Sequence, residues 1–371
     1  MKPPPNSISP LAPEVFSNPA HLRNDSHNGI FEWATEQRKD FEDAKRCWGD
    51  PLSYEQNWLY VSQACRNGGW VYKSPKGWIV VAKNYLFNER HAAIVPLADD
   101  LTSFISAAMT EFGSEGIRPA ILKHLPIQAI EKALASGHFK KQKPARNGSN
   151  TSMEALSEDH FPQIIAHVGR LNWVGESEEL SNVLPSLPGG PAFRKFRNHV
   201  RRFARACYSN SVEINLTSVL EAPERKIREV VNGWLESLKY RFSRIPQPHV
   251  HDFDACFRKP TEAVIRSARS DEKSVGTLIS VGDRPSALWI VSRISTSCNG
   301  IYTMIANTKF KNLGDYMLYL ILHTVKQLGI ESINFGGSEI VGLHNYKTKI
   351  APKAEQSFST YRKLYDLQCD I

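Results

Sequence analysis

No regular element can run through Pro185-Ser186-Leu187-Pro188-Gly189-Gly190-Pro191. Each proline fixes φ and removes a backbone donor, and the paired glycines add backbone freedom. Strands alternating with helices are read on both sides of this break, so the sequence calls for two mixed α/β (α+β) units. The expected division is a leader over 1–28, an N-terminal domain over 29–165, a linker over 166–191 and a C-terminal domain over 192–371. Pro3, Pro4, Pro5, Pro10, Pro13 and Pro19, set among Ser and Asn, mark the leader as disordered.

In the N-terminal half, Ile30–Arg46 reads as a polar helix. Trp70–Lys73 and Trp78–Ala82 read as a hairpin closed by Pro75-Lys76-Gly77. His91–Leu97 and Pro119–Leu122 read as strands, and Leu101–Phe112, Ile127–Ala135 and Phe161–Leu171 as helices. In the C-terminal half, Phe193–Cys207, Glu224–Tyr240 and Tyr316–Leu328 read as helices. Strands are expected at Val212–Leu216, Ser274–Val281, Ser286–Ile294, Gly300–Ala306 and Ser332–Phe335.

Composition narrows the class. The chain is 41% hydrophobic and 23% charged, enough for a real core. No apolar run approaches the roughly 20 residues that cross a bilayer. No signal-peptide pattern follows Met1, and the six cysteines are scattered without a C-x-x-C pair. A cytoplasmic protein without structural zinc or a disulfide framework is expected. His249, His251, Asp252, Asp254 and Cys256 are metal-ligand types in a Pro-rich loop, and no metal site is expected there. The net charge of +8 suits a polyanionic partner.

Phe193 to Arg205 sharpens that suggestion. Phe193, Phe196, Val200, Phe203 and Cys207 fall on one stripe, which would pack inward. Arg194, Asn198, Arg201 and Arg205 line another face, flanked by Lys195, Arg197 and Arg202. The segment carries six Lys/Arg in thirteen residues and no acid. Like charges at such spacing repel unless an anion or an acidic surface compensates. A phosphate-tracking surface, a solvated face or a dock for acidic residues would each account for it.

Two further segments carry chemistry. Ile333-Asn334-Phe335-Gly336-Gly337-Ser338-Glu339 runs a strand into two glycines that permit positive φ and close ligand approach. Asn334, Phe335, Gly336, Gly337 and Ser338 are candidate substrate contacts. Glu339 is a candidate general base beside Tyr346 and Lys347; a helix-terminal carboxylate is the plainer reading. Ser338 lacks the G-x-S-x-G setting of a nucleophile. The second segment, Ala306 to Tyr316, joins a strand to a helix, where free amides bind phosphate. Asn307 and Tyr316 are its candidate contacts. Lys311-x-x-Gly314-x-Tyr316 keeps only the first glycine of the usual acyl-CoA loop, and Tyr316 would obstruct a diphosphate.

Lys195-x-Arg197-Asn198-x-x-Arg201-x-x-Ala204 and Asn334-Phe335-Gly336-Gly337, with Gly342-Leu343 and Lys347, resemble the GNAT-fold aminoacyl transferases. These include the FemABX-type peptidoglycan transferases and the soluble C-terminal domain of the lysyl-phosphatidylglycerol synthases. The resemblance implies two tandem GNAT-like domains, each a mixed, mostly antiparallel sheet flanked by helices. It implies aminoacyl-tRNA as co-substrate and no resident cofactor, with the basic helix on the RNA. The acceptor would be a small molecule or peptide, and acyl-CoA is the alternative donor.

Overall fold

A computed structural model describes residues 29–85, 91–125, 134, 139–141, 163–175, 180, 184–243, 252–337, 345–350, 359–362 and 365–369. The chain forms two compact units. One is built mainly from residues 13–163 and 362–371, the other from 164–336 and 341–361.

The N-terminal unit contains β1 (Gly29–Glu32), α1 (Gln37–Trp48), α2 (Trp58–Ala64), β2 (Gly69–Ser74), β3 (Gly77–Ala82), β4 (Ala92–Ala98), α3 (Leu101–Ser114), β5 (Ile121–Leu125) and β6 (Phe139–Lys141). It also takes β16 (Tyr365–Cys369) from the far end of the chain, giving a seven-stranded sheet in the order β1-β2-β3-β4-β5-β16-β6. Its core holds Phe41, Trp58 and Trp78 on one side and Phe104, Met109 and Phe112 on the other.

The C-terminal unit contains β7 (Gln163–His167), the ribbon β8 (Trp173–Gly175) and β9 (Ser186–Pro188), α4 (Arg194–Ser209), β10 (Ile214–Ser218), α5 (Glu224–Phe242) and α6 (Lys259–Arg269). There follow β11 (Ser274–Val281), β12 (Arg284–Arg293), β13 (Cys298–Ala306), α7 (Leu313–Gln327), β14 (Ser332–Asn334) and β15 (Ser359–Arg362). The sheet order is β10-β11-β12-β13-β14-β7-β15.

The two sheets repeat one plan. Antiparallel strands lead to a parallel junction, β4 against β5 in one unit and β13 against β14 in the other. A helix crosses over at that junction, α3 or α7, as parallel neighbours require. The two copies expected from the element pattern are therefore present as tandem mixed sheets.

The expected elements and boundaries need correction in four places. Gln163–His167, read as part of a helix, is a strand that pairs with β14, because Ile164, Ile165 and Ala166 are all buried in the C-terminal sheet. Tyr365–Cys369, assigned to the C-terminal domain, pairs with β5 and β6. The segment 166–191 is no loose linker: Leu171, Leu180, Leu184 and Leu187 enter the core. Ile30 and Phe31, read as helix, instead pair with Tyr72 and Val71. The leader over 1–28 and most of the helix expected at Ile127–Ala135 lie outside the described residues.

Candidate active site

The basic helix is α4, and it forms as its pattern requires. Phe196, Val200, Phe203, Ala204 and Cys207 are buried, and Phe203 packs on Tyr316 with ring centroids 4.9 Å apart. Burial of each such phenylalanine contributes about 1.5–3 kcal/mol. The opposite face is mostly polar. Arg194, Lys195, Asn198, Arg202 and Arg205 are exposed. Arg194, Lys195, Arg202 and Arg205 make no ion pair or hydrogen bond among the described residues. Tyr208, 61% exposed, continues the same arc one turn beyond Arg205. Arg197 and Arg201 stand apart, both half-buried. Arg197 donates from one guanidinium nitrogen to Pro188 O (2.8 Å) and Gly190 O (2.7 Å). It ties the proline-rich turn to α4, a structural use of a residue expected on RNA.

The second element is the start of α7. In the N-terminal unit the equivalent helix α3 is closed by Asp100, whose Oδ1 accepts from the Thr102 and Ser103 amides at 3.2 Å. At α7 the preceding residue, Asn312, is left-handed (φ 66°) and its side chain caps nothing. Asp315 supplies the negative charge that the positive end of the helix favours. It is 4% exposed and accepts from His199 Nδ1 at 2.7 Å and from Lys349 Nζ at 2.8 Å. In the neutral ring, donation of Nδ1–H to Asp315 leaves Nε2 as the acceptor.

The third element is residues 345–350. Tyr346 donates its hydroxyl to Gly314 O at 2.7 Å, and a side chain at Gly314 would meet that hydroxyl at 3.4 Å. Burial, then the neighbouring Asp315 charge, pushes the Tyr346 phenol far above its usual range, so it serves as a donor and not as a base. Lys347 is 9% exposed. Lys195, His199, Asn345, Tyr346 and Lys349 line a cleft of about 510 Å³ together with Ala192 and Phe196. Lys195 and Tyr346 from the expected site thus meet, along with His199, Asp315 and Lys349, which the sequence reading did not single out.

Other expected contacts have different places. Tyr316 does not obstruct the loop; it is 1% exposed, turned into the core against Phe203 and Tyr319. The side chain that covers the first turn of α7 is Tyr346. Asn307 borders a separate cleft. Asn334 is fully buried, and its Oδ1 accepts from Gly336 N at 2.7 Å, holding Gly336 at φ 65°. Parallel pairing ends at Gly300↔Asn334, and Phe335, also buried, donates its amide to Ile164 O of β7. The strand therefore parts from β13 at the turn. Gly337 is half-buried, while Ser338 and Glu339 lie outside the described residues. Asn334→Ala leaves a buried amide unpaired and costs about 1–3 kcal/mol, measurable as a lower urea midpoint at unchanged m. An unchanged midpoint would show that the carboxamide does not hold this turn.

Among the described residues no group of His, Cys, Asp and Glu has metal-site geometry, and no helix is long and apolar enough to cross a membrane. Asp254 of the expected ligand-type cluster pairs with Arg258 at 2.9 Å.

No protein-family model matches the sequence, and no curated protein matches it. Solved structures do. A conserved protein of unknown function from Bacteroides thetaiotaomicron superposes with a TM-score of 0.63 at 12% identity, over 93% of this chain and 100% of that one. The C-terminal domain of a putative lysylphosphatidylglycerol synthetase from Agrobacterium fabrum gives 0.56 at 12% identity, over 90% of this chain and 92% of that one. The chain has the tandem GNAT-like fold. FemX shares it, with a TM-score of 0.53 at 10% identity over 91% of this chain and 96% of that one. At such identities the likeness carries the fold and leaves the chemistry to the site.

Proposed function

We propose that this protein is an acyltransferase that moves an aminoacyl group from aminoacyl-tRNA to an amine or hydroxyl of a small molecule or peptide. The observation that carries the reading is the continuity of two features. The unpaired cations of α4 run into a cleft that holds a histidine backed by a buried carboxylate. An exposed cationic helix with a terminal aromatic suits a single-stranded RNA end, where arginines take phosphates and Tyr208 stacks on a base. The motifs on α4 and after β14, which resemble those of the aminoacyl transferases, support that donor.

The chemistry needs little. The ester on the tRNA is already activated, and positioning does most of the work. The acceptor nitrogen or oxygen attacks the ester carbonyl while His199 Nε2 takes its proton. Asp315 holds the ring in the required tautomer. The Lys195 ammonium offsets charge on the carbonyl oxygen. Collapse breaks the ester C–O bond, and the ribose oxygen leaves with the proton returned from His199. In this scheme His199 has the role that the sequence alone suggested for Glu339.

Acyl-CoA fits this cleft poorly. A diphosphate at the start of α7 would have to displace Tyr346 from Gly314 and lie against the Asp315 carboxylate. The deciding experiment titrates the protein, at fixed near-physiological salt, with a mixed pool of charged tRNA, with the same pool deacylated, and with acetyl-CoA. Tighter binding of the charged pool and no saturable acetyl-CoA binding are expected. Saturable acetyl-CoA binding with equal affinity for the two RNA pools would replace this reading with an ordinary acyl-CoA transferase.

A further inference from the structure

The C-terminal unit has a second cleft, of about 630 Å³, lined by one face of α5, the start of β12 and the loop after β13. Four cationic side chains border it: Arg225, Arg228, Arg284 and Lys309. Glu229 and Glu236 border it as well. None of these six charged side-chain groups makes an ion pair or hydrogen bond among the described residues. Arg225 and Glu229 even stand at i and i+4, where such pairs form readily on an isolated helix. All six are exposed, and charges of both signs thus border the cleft without pairing with one another.

The neutral groups add donors. Asn307 Oδ1 accepts from Lys309 N at 3.0 Å, and Asn232 Oδ1 accepts from Arg258 at 2.8 Å. With both carboxamide oxygens committed, each side chain has its NH₂ left to offer. Gly233 makes room for one of them: a Cβ there would lie 3.1 Å from Asn307 Nδ2. Glycine inside a helix is unfavourable against alanine, and here it admits a polar group to the cleft wall. The lining is therefore rich in donors and cations, with two carboxylates as its charged acceptors.

We propose that this cleft is a second ligand site, and that its ligand is a small amine bearing a carboxylate or phosphate group. The anionic group lies among the arginines, Lys309 and the carboxamides, and the amine faces the glutamates. The site is separate from the cleft at His199 and does not depend on the transferase reading.

Isothermal titration of the intact protein, without RNA, tests this with three probes: phosphoethanolamine, β-alanine and ethanolamine. Saturable binding of one or both of the first two is expected, and none of ethanolamine. Preference for phosphoethanolamine names the phosphate, and preference for β-alanine the carboxylate. Arg228→Ala with Arg284→Ala should weaken binding about tenfold or more, because two charge-assisted donors are lost. Gly233→Ala, which crowds Asn307 and leaves every charge in place, should weaken it too. Arg202→Glu on α4, which bears on RNA and lies outside this cleft, should leave probe affinity unchanged. The proposal is overturned by wild-type protein that saturates with neither anionic probe, by unchanged affinity in the double variant, or by equal binding of ethanolamine. Loss of binding in Arg202→Glu would also overturn it, by moving the site to α4.

Discussion

His199→Ala should lower the rate of aminoacyl transfer by about 10²–10⁴-fold, the range for loss of a positioned acid–base group. Affinity for charged tRNA should stay nearly unchanged. The split follows from the geometry. His199 touches Asp315 at 2.7 Å and faces the cleft, while the cations proposed for RNA stand elsewhere on α4. Asp315→Asn should give a smaller but clear loss of rate. Its amide can hold the ring in the wrong tautomer, and Lys349 loses its partner. Single-turnover measurement on preformed complex separates the outcomes. A slower chemical step at equal RNA affinity supports a base. An equal loss of affinity in His199→Ala would make the histidine a phosphate contact. Full activity in His199→Ala would return the proton role to another group, with Glu339 the first to test.

Much of the fold could be read from the chain because local pattern and packing agree there. The stripe from Phe193 to Cys207 predicts the buried face of α4, and the strands expected at Ser274–Val281 and Ser286–Ile294 form β11 and β12, which pair antiparallel. The failures share one cause, which is pairing with residues distant in sequence. Phe161–Leu171 carries a run of apolar residues that suits a helix or a buried strand equally well. Its partner Ser332–Asn334 decides the matter from far along the chain. The exchange of β7 and β16 leaves no local mark at all.

The site was legible in the same measure. The charge of α4 and the glycine turn at Gly336 are visible as residues, but the meeting of His199, Asp315 and Lys349 is made by tertiary packing alone. Asp315 reads in sequence as a polar residue in a helix's first turn, and burial gives it its importance. Tyr316 and Tyr346 show the converse. Both are tyrosines close to a predicted turn, and which one covers the start of α7 depends on side-chain direction.

Reversing Arg202 and Arg205 to glutamate should lower affinity for tRNA by about 100-fold at low salt and reduce the slope of log K against log salt by about 2. These two residues are chosen over Arg197 and Arg201 for a structural reason. Both are exposed and make no interaction among the described residues, whereas Arg197 holds Pro188 and Gly190. Their reversal leaves the buried stripe intact, so thermal unfolding should shift little. Arg197→Glu, by contrast, should lower stability as well as binding, because two carbonyls lose their donor. The double reversal also separates proximity from chemistry. At saturating charged tRNA its transfer rate should approach that of the wild type, since His199, Asp315 and Lys195 are untouched. A double variant that binds RNA as the wild type does would mean that the polar face of α4 meets solvent or an acidic protein surface. The donor would then have to be sought through the cleft at His199 alone.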